Sequence, residues 1–570
     1  MYSGTRLIEL LEKQHRSRQS ELFKAGVFTL QWRAKVGSFP HPDIETIVSA
    51  GEPYGAWKPT GSRPEDKRNV GENWQQLRTL PLNGYIPGSA IRGIVRAWAK
   101  KRSHIKPRMD ELLGYQEQDI ISAGKIEFLD AWSKQPSKLT LDIVNPQEKF
   151  QVYHQGQSTP LSFYTLGDGK TPVEITVAIR GIAGRATPAE VNEVWEWVQQ
   201  ALSLYGVGSR TASGYGTCKP PRSFKPSAEL RAPDPDYASK QFDFSLYSQG
   251  SAGADPQTME LRPAHWRGWL RSWVLRFLLG VMSQQDAEKT VGELFGTLEP
   301  ESRKGCVRLQ MSKGEIWGQR SNTQPYFYAW QGKLKISAPS EILNKIILPI
   351  VKFAVMVGGV GRGWRRPLHI FHMNTGRAAA RGTHLTLTYK VRSSRTNELE
   401  SKPYQLQLKA DQWQKNYADW LTAVKSQWSG RINKGNKLEA EVFSPSSCAI
   451  YAVPGPVEEP VNITSRISWE QTNSEETRGD GMYLIYQEQP PRNYKRNRDL
   501  GGSAGHGSAY CSWASIKRVN IPHQQEDTDC QEIVCLFMGQ QTPQTNHVRS
   551  RFLSDLAKMS GAVHLFGVQL

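Results

Sequence analysis

Apolar residues recur at helical spacing in two segments, Ile86–Lys101 and Leu261–Phe277, which share the pattern Arg-Gly-x-x-Arg. The apolar face of the first segment is formed by Ile91, Ile94, Val95 and Trp98. Its basic residues recur every four positions on another face: Arg92, Arg96 and Lys100. The second segment has a wider stripe, formed by Trp266, Trp269, Leu270, Trp273, Val274 and Phe277. The spacing predicts two amphipathic helices that begin alike.

The same sequence of features follows each of these helices. An LLG or LFG turn comes first, then a strand that begins with glycine (GKIEFLDA or GCVRL), and later a loop rich in glycine and arginine. The loops read YGVGSRTASGYG at 205–216 and GGVGRGWRRP at 358–367, and predicted helices at about 188–204 and 340–357 lead into them. Two copies of one pattern predict two related domains.

Two helices and about four strands per copy fit a ferredoxin-like βαββαβ sandwich. The fold class predicted is therefore α+β, with tandem ferredoxin-like domains and long inserted loops. The expected division is a domain at 1–222, a proline-rich linker at 223–239, a second domain at 240–376 and a remainder at 377–570 in which no third copy of the pattern is legible.

The charge of the chain predicts a polyanionic partner. Its 570 residues carry a formal net charge of +18, which favours nucleic acid first and an anionic membrane surface second, with a basic surface kept for solubility as the alternative. The 18 tryptophans, mixed with Tyr and Arg, suit stacking on unpaired bases. The longest apolar stretch, 346–360, is too short to span a bilayer, so we expect a cytoplasmic protein without membrane contact.

The two glycine-rich loops are the first candidate RNA-binding sites. Glycines let the backbone approach a partner closely, arginines supply bidentate phosphate donors, and aromatic rings can stack on bases. The candidates are Gly208, Arg210, Tyr215, Gly361, Arg362, Trp364, Arg365 and Arg366. A basic loop that begins at Pro491 adds Lys495 and Arg496. The alternative is that both loops are structural turns between a helix and the last strand.

The arginines of the two helices are the second candidate. Arg92 and Arg96, like Arg267 and Arg271, place two guanidinium groups one helical turn apart, and Lys100 extends the first set. That spacing suits adjacent phosphates. It equally suits buried acids within the fold, such as Asp130 or Glu293.

Catalytic and metal sites are weaker alternatives. A metal-free ribonuclease needs a general base and acid, for which His41 and Asp43 are candidates after the first strand. A zinc site could use Cys511, Cys530, Cys535 and His523, but no C-x-x-C pair is present, and free buried thiols are the other interpretation. No cofactor is predicted.

These motifs resemble those of the RAMP superfamily of CRISPR effector proteins. The helix IPGSAIRGIVRAWAKK and the loop GVGSRTASGYG are similar to that family's two hallmark motifs. Residues 20–222 resemble the sixth subunit of Cmr-type (type III-B) complexes, and residues 240–375 resemble the first subunit, so the chain looks like a fusion of two subunits. The resemblance implies that residues 377–570 are the second, divergent ferredoxin-like domain of that first subunit.

The resemblance implies an RNA-binding structural subunit that caps a ribonucleoprotein filament near the 3′ end of the guide RNA. Its implied partners are guide and target RNA, the repeated backbone subunit and the small subunit. It also implies that cleavage belongs to other subunits, although Asp43 lies in roughly the loop where those subunits carry an Asp. A RAMP-type endoribonuclease that processes guide precursor or cleaves target RNA is the alternative.

Overall fold

The computed structural model describes most of the chain, in segments. The described residues are 4–18, 20–36, 38–40, 47–49, 85–117, 120–134, 139–144, 148–155, 161–169, 171–224, 236–248, 251–252, 259–297, 303–311, 315–316, 328–361, 363–372, 376, 378–393, 397–433, 438–457, 475–488, 492–503, 510–522, 528–539 and 547–569.

These residues form two compact units. Unit 1 comprises Met1–Asn145, Thr159–Ala238 and Gly253–Ala264. Unit 2 comprises Pro146–Ser158, Ser239–Ala252 and His265–Leu570. Residues 146–158 thus belong to unit 2 although both flanking segments belong to unit 1. Residues 253–264 belong to unit 1 although both flanking segments belong to unit 2.

Unit 1 is built on one antiparallel sheet. Its strands lie in the order Cys218–Lys219, Phe23–Leu30, Val173–Gly181, Ala131–Ser133 and Tyr85–Ile86, and Ile126–Phe128 also pairs with Val173–Gly181. Shorter hairpins join Ser38–Pro40 with Ile47–Ser49, Gly114–Glu117 with Ile120–Ala123, and Leu139–Val144 with Leu161–Leu166. The helices are Gly4–Ser17, Gly88–Ala99, Lys106–Leu113 and Pro188–Tyr205.

Local chemistry explains where the two long helices of this sheet begin. Thr187 and Glu190 form a capping box at the start of Pro188–Tyr205, and Pro188 occupies the first turn, where its missing N–H costs nothing. Gly88–Ala99 begins after Pro87, and the Asp130 carboxylate accepts a hydrogen bond from the Gly88 N–H at 2.8 Å. The apolar faces of both helices pack into the core on one side of the sheet.

Unit 2 contains two larger sheets. The strands of the first lie in the order Arg308–Met311, Tyr328–Pro339, Tyr237–Ser248, Thr383–Arg392 and Leu399–Pro403, and Glu315–Ile316 also pairs with Tyr328–Pro339. Those of the second lie in the order Ala514–Pro522, Thr528–Phe537, Cys448–Pro454 and Val563–Gly567. His369–His372 pairs with Ala378–Arg381, and Ser251–Ala252 is a further short strand of unit 2, whereas the short strand Met259–Glu260 belongs to unit 1.

The remaining helices are Glu148–Val152, Pro263–Leu279, Gln284–Phe295, Leu348–Val357, Ala410–Gln427, Asp480–Tyr486 and His547–Ala557. A π-helical stretch, Ile342–Ile347, runs directly into Leu348–Val357. Pro349 follows it and has no N–H to donate, so a local change of hydrogen-bonding pattern is reasonable there. None of the helices in the described residues is long and apolar enough to cross a membrane.

The three sheets share one strand order. When the four principal strands of each sheet are numbered along the chain, their spatial order is 4-1-3-2 in every case. A helix follows strand 1 and another follows strand 3 in each of them. The predicted α+β class is therefore confirmed.

The L-x-G turns have equal geometry in the two copies. Gly114 and Gly296 end their helices at φ +77° and +85°, in the left-handed region that favours glycine. A Cβ atom at Gly124 would lie 2.6 Å from the Leu113 carbonyl carbon, and one at Gly305 would lie 2.3 Å from that of Phe295. Both strands therefore need glycine where they pass the turn.

We expect Gly305→Ala to lower the midpoint of thermal unfolding, because the added methyl group must displace backbone atoms, at a cost of about 1–3 kcal/mol. Gly268 is the matched control, since a Cβ there meets no atom within 4 Å outside its own helix. Gly268→Ala should stabilise the helix by about 0.5–1 kcal/mol. Equal shifts in differential scanning calorimetry would contradict the close approach.

Candidate nucleic-acid interface

The first glycine-rich loop folds back on itself after helix Pro188–Tyr205. Its closing hydrogen bond runs from the Val207 N–H to the Gly216 carbonyl at 2.8 Å. A Cβ atom at Gly208 would lie 2.3 Å from the Lys35 carbonyl oxygen, so this position excludes every other residue. The loop path is thus fixed by backbone contacts, in agreement with the glycine argument from sequence.

Tyr215 of this loop is directed into unit 1 and is 1% exposed. Its hydroxyl donates a hydrogen bond to the Asp142 carboxylate at 2.5 Å, and its ring lies 4.5 Å from that of Trp32. Burial and the adjacent Asp142 charge raise the pKa of the Tyr215 hydroxyl well above its usual range. The buried ring is not available to stack on a base, so Tyr215 is not among the proposed RNA contacts.

Asp142 belongs to a buried set of two carboxylates and two guanidinium groups. Arg262 pairs with Asp142 and, at 3.1 Å, with Glu260, while Arg33 pairs with Glu260 at 2.9 Å. Burial alone would raise the pKa of Asp142, but the charges of Arg262 and Arg33 outweigh it and lower that pKa. The ionised cluster holds Tyr215, and with it the end of the glycine loop, in place.

The second glycine-rich loop is also directed inward. Its closing bond joins the Gly359 N–H to the Trp364 carbonyl at 2.9 Å, and Trp364 is 8% exposed. Arg365 pairs with Glu441 at 2.5 Å, and Arg366 donates to the Ala514 carbonyl at 2.6 Å. Burial lowers the pKa of Arg366 to about 10. Gly361 lies at φ +90° on the half-buried turn, and Arg362 lies outside the described residues.

Glu441 is the centre of the corresponding cluster in unit 2. This fully buried carboxylate accepts hydrogen bonds from Arg276 at 2.6 and 2.8 Å and from Arg365, and it lies 2.9 Å from His154. Burial would raise the pKa of Glu441, yet Arg365 and Arg276 lower it to about 2. Trp364, Arg365 and Arg366 therefore make contacts within the protein, and they are not among the proposed RNA contacts.

The arginines of the two amphipathic helices share a structural task. Arg96 donates a hydrogen bond to the Gly114 carbonyl, and Arg271 donates to the Gly296 carbonyl at 3.0 Å. Arg267 adds a bond to the Phe295 carbonyl. Each guanidinium group thus donates to carbonyls at the end of the following helix, where partners within the helix run out.

The acids expected beside these arginines have other partners. Asp130 accepts from the Gly88 N–H, and Glu293 pairs with Arg431 at 2.7 Å. Arg96 nevertheless pairs with a different acid, Asp110, at 3.3 Å, so the alternative of an acid partner holds in part for this helix.

The first amphipathic helix keeps an exposed basic face. Arg92 and Lys100 are exposed, and so is Gly93 between them. A Cβ atom at Gly93 would meet nothing within 4 Å outside the helix, so packing within the described residues does not explain a glycine there. Gly268 at the same place in the second helix is equally open, so the glycine belongs to the repeat, and the exposed Arg92 and Lys100 are what distinguish the first helix.

A second basic spot lies at the first glycine-rich loop. Arg210 is exposed at φ +55°, and Ser209 beside it donates to the Lys35 carbonyl at 2.8 Å. Burial and the charge of Arg210 lower the pKa of Lys35 to about 8. Arg210 is therefore the exposed cation of this loop, and the Lys35 side chain near it is largely buried.

The basic loop of unit 2 is less open. The Lys495 ammonium lies 4.5 Å from the centre of the Tyr486 ring, and burial lowers its pKa. Arg496 is exposed and lies 3.3 Å from Glu488. This loop remains a candidate RNA contact, with less exposed positive charge than the first amphipathic helix.

Of the residues considered for catalysis and metal binding, the structure describes the three cysteines. His41, Asp43 and His523 lie outside the described residues. Cys535 is buried beside Cys448, Cys511 lies beside Arg365, and Cys530 is half-buried elsewhere. Among the residues that the structure describes, no group of three or more His, Cys, Asp or Glu could hold a metal ion.

Residues 68–219 match the family model of the RAMP superfamily, which confirms the resemblance for that part of the chain. The cryo-EM structure of the type III-B Cmr-beta bound to cognate target RNA is similar at 17% identity and a TM-score of 0.25, over 39% of this chain and 66% of that one. The crystal structure of Cmr6 from Pyrococcus furiosus is similar at 18% identity and a TM-score of 0.19, over 35% of this chain and 97% of that one. No curated protein matches the chain significantly.

We expect Arg96→Met and Arg271→Met each to destabilise the protein by about 1–3 kcal/mol, because the carbonyls of the buried Gly114 and the half-buried Gly296 lose a donor. Arg92→Met is the matched control, since Arg92 is exposed on the same helix, and it should shift stability by less than about 0.5 kcal/mol. The midpoint of thermal unfolding measures both. A shift for Arg92→Met as large as that for Arg96→Met would refute the assigned roles.

Acid should weaken unit 2 through Glu441. Its pKa of about 2 in the folded protein lies below the ordinary 4.5, so its stabilisation is present above about pH 4.5 and is lost as pH falls toward 2. The difference in unfolding midpoint between the wild type and Glu441→Gln should therefore be largest near pH 7 and shrink through that window. A difference independent of pH would show that Glu441 contributes by packing alone.

Proposed function

We propose that this chain, whose residues 68–219 match the RAMP superfamily, is an RNA-binding structural subunit of a type III CRISPR ribonucleoprotein effector. The observation that carries the proposal is the exposed basic face of helix Gly88–Ala99, centred on Arg92, Gly93 and, just past its end, Lys100. It lies within the segment that matches the family and in a chain of net charge +18.

This face suits the backbone of RNA better than its bases. Arg92 and Lys100 lie about 12 Å apart along the helix, from a rise of about 1.5 Å per residue. Arginine and lysine contacts to phosphates fix the position of a strand without reading its sequence. The open glycine lets a sugar–phosphate chain lie close to the helix backbone. We therefore propose binding that tolerates any sequence.

The strand order supports ferredoxin-like domains, with one sheet face occupied in unit 1. Helix Gly4–Ser17 packs on the face opposite the Pro188–Tyr205 helix: Ile8 is buried, and His15 stacks on Phe23 at 5.2 Å. Ferredoxin-like RNA-recognition modules stack bases on that open face. Here the covered face leaves helix and loop as the proposed RNA contacts.

We propose the rest of the assembly from the resemblance. Residues 1–222 would act as the sixth subunit of a Cmr-type complex, and residues 240–376 and 377–570 as the two ferredoxin-like domains of the first. The partners would be guide and target RNA, the repeated backbone subunit and the small subunit, at the filament end near the guide 3′ end. The linker at 223–239 would keep the two parts in equal number.

Charge reversal at this face tests the proposal. Arg92→Glu with Lys100→Glu, and separately Arg210→Glu, should weaken binding of single-stranded RNA by about tenfold or more at fixed salt. The slope of log K against log salt should become shallower by about 0.7 for each phosphate that the variant no longer neutralises. Fluorescence anisotropy with labelled RNA measures both quantities.

Lys13→Glu is the control, because Lys13 is exposed on helix Gly4–Ser17 and its reversal changes the net charge by the same amount per residue. An equal loss of affinity in the control would show that net charge alone drives binding. Cleavage of the RNA by the wild type, abolished by Asp43→Ala or His41→Ala, would instead support the endoribonuclease alternative.

A further inference from the structure

We propose that the parts of the chain before and after residues 225–235 recognise each other through two exchanged segments, so that they stay together when the linker is cut. The N-terminal part contributes residues 148–155 to unit 2, and the C-terminal part contributes residues 259–264 to unit 1. This inference does not depend on the proposed function.

In unit 1 the contributed segment supplies half of a buried ion cluster. Glu260 accepts hydrogen bonds from the Trp32 indole N–H at 2.5 Å and from Arg33 at 2.9 and 3.1 Å. Arg262 is 1% exposed and pairs with Asp142. Without Glu260 and Arg262, both Arg33 and Asp142 would lose a principal partner while remaining in an apolar interior.

The surface that receives this segment is shaped for it. A Cβ atom at Gly169 would lie 2.1 Å from the Glu260 carboxylate, and one at Gly214 would lie 2.4 Å from Pro263. Both glycines have φ in the left-handed region, at +78° and +90°. The N-terminal part of the chain therefore leaves space at two positions that the contributed segment fills.

In unit 2 the contributed segment forms both backbone and side-chain contacts. The Val152 carbonyl accepts from the Glu441 N–H at 2.8 Å, and the Gln151 carbonyl accepts from Arg365 at 3.1 Å. The Tyr153 hydroxyl donates to Glu288 at 2.8 Å. His154 lies 2.9 Å from the Glu441 carboxylate and stacks on Trp513 at a ring distance of 3.8 Å.

The two segments make contacts of the same kind. Each segment packs against the carboxylate cluster that fixes a glycine-rich loop, and each pairs its own buried polar groups with buried polar groups of the other part of the chain. Replacing one partner of such a cluster leaves the other charge buried and uncompensated, so a substitution in either segment should weaken the association strongly. Two such contacts acting together raise the effective concentration of each. Equal numbers of the two parts then follow from recognition, with or without the linker.

Controlled cleavage of the full-length chain tests the inference. A recognition sequence for a specific protease is inserted within residues 225–235, and the purified protein is cut and then diluted. We expect both fragments to elute together as a one-to-one species in size-exclusion chromatography with light scattering. Separation of the two fragments of the otherwise unchanged cut protein would overturn the proposal.

Substitutions in the segments then identify the contacts. Glu260→Gln with Arg262→Met, or Tyr153→Phe with His154→Ala, should raise the dissociation rate of the cut fragments by about tenfold or more. Gln155→Ala is the matched control, since Gln155 is the exposed neighbour of His154, and it should leave the rate unchanged. Thermal unfolding of each variant before cleavage verifies that it is folded.

A dissociation rate equal to that of the cut wild-type protein in both double variants would also overturn the proposal, because the exchanged segments would then not hold the fragments together. Because the first arm of the experiment uses no substitution in either segment, a variant that fails to fold does not prevent a decision.

Discussion

The structure depends on carboxylates that remain ionised in the interior. An isolated charge cannot stay there, so Asp142 in unit 1 and Glu441 in unit 2 require guanidinium groups and hydrogen-bond donors around them. Those donors come in part from the glycine-rich loops: the Tyr215 hydroxyl in the first and Arg365 in the second. The clusters thus fix the loops, and the loops complete the clusters.

This constraint separates two kinds of residue within motifs that read alike. Arg96 and Arg271 occupy equivalent positions and bond equivalent carbonyls, so this contact belongs to the repeat itself. Arg92 is exposed, whereas its counterpart Arg267 bonds the Phe295 carbonyl. The position of Lys100 is taken in the second copy by Leu275, which is fully buried. The copies therefore agree in structure and differ in surface, and of the two only the first retains an open basic helix.

The features that could be predicted from the sequence are those determined by residues close together in the chain. The helical periods, the Thr187 capping box and the α+β class depend on residues a few positions apart, and all three agree with the structure. The inward direction of Tyr215 and Arg365 depends on partners 73 and 76 positions away, which no local pattern reveals. A signal was nevertheless present: Asp142 interrupts the apolar run LTLDIV, where an ionised group needs a partner of opposite charge.

The third sheet shows that this fold can close without a glycine-rich loop. It has the same strand order, yet residues 558–562 alone join helix His547–Ala557 to its last strand, Val563–Gly567. Closing this fold therefore requires neither an extended loop nor a buried carboxylate to hold it. The two longer loops are retained at a cost in backbone entropy and in buried charge. In the first copy this cost fixes a loop that carries the exposed Arg210 at a defined position.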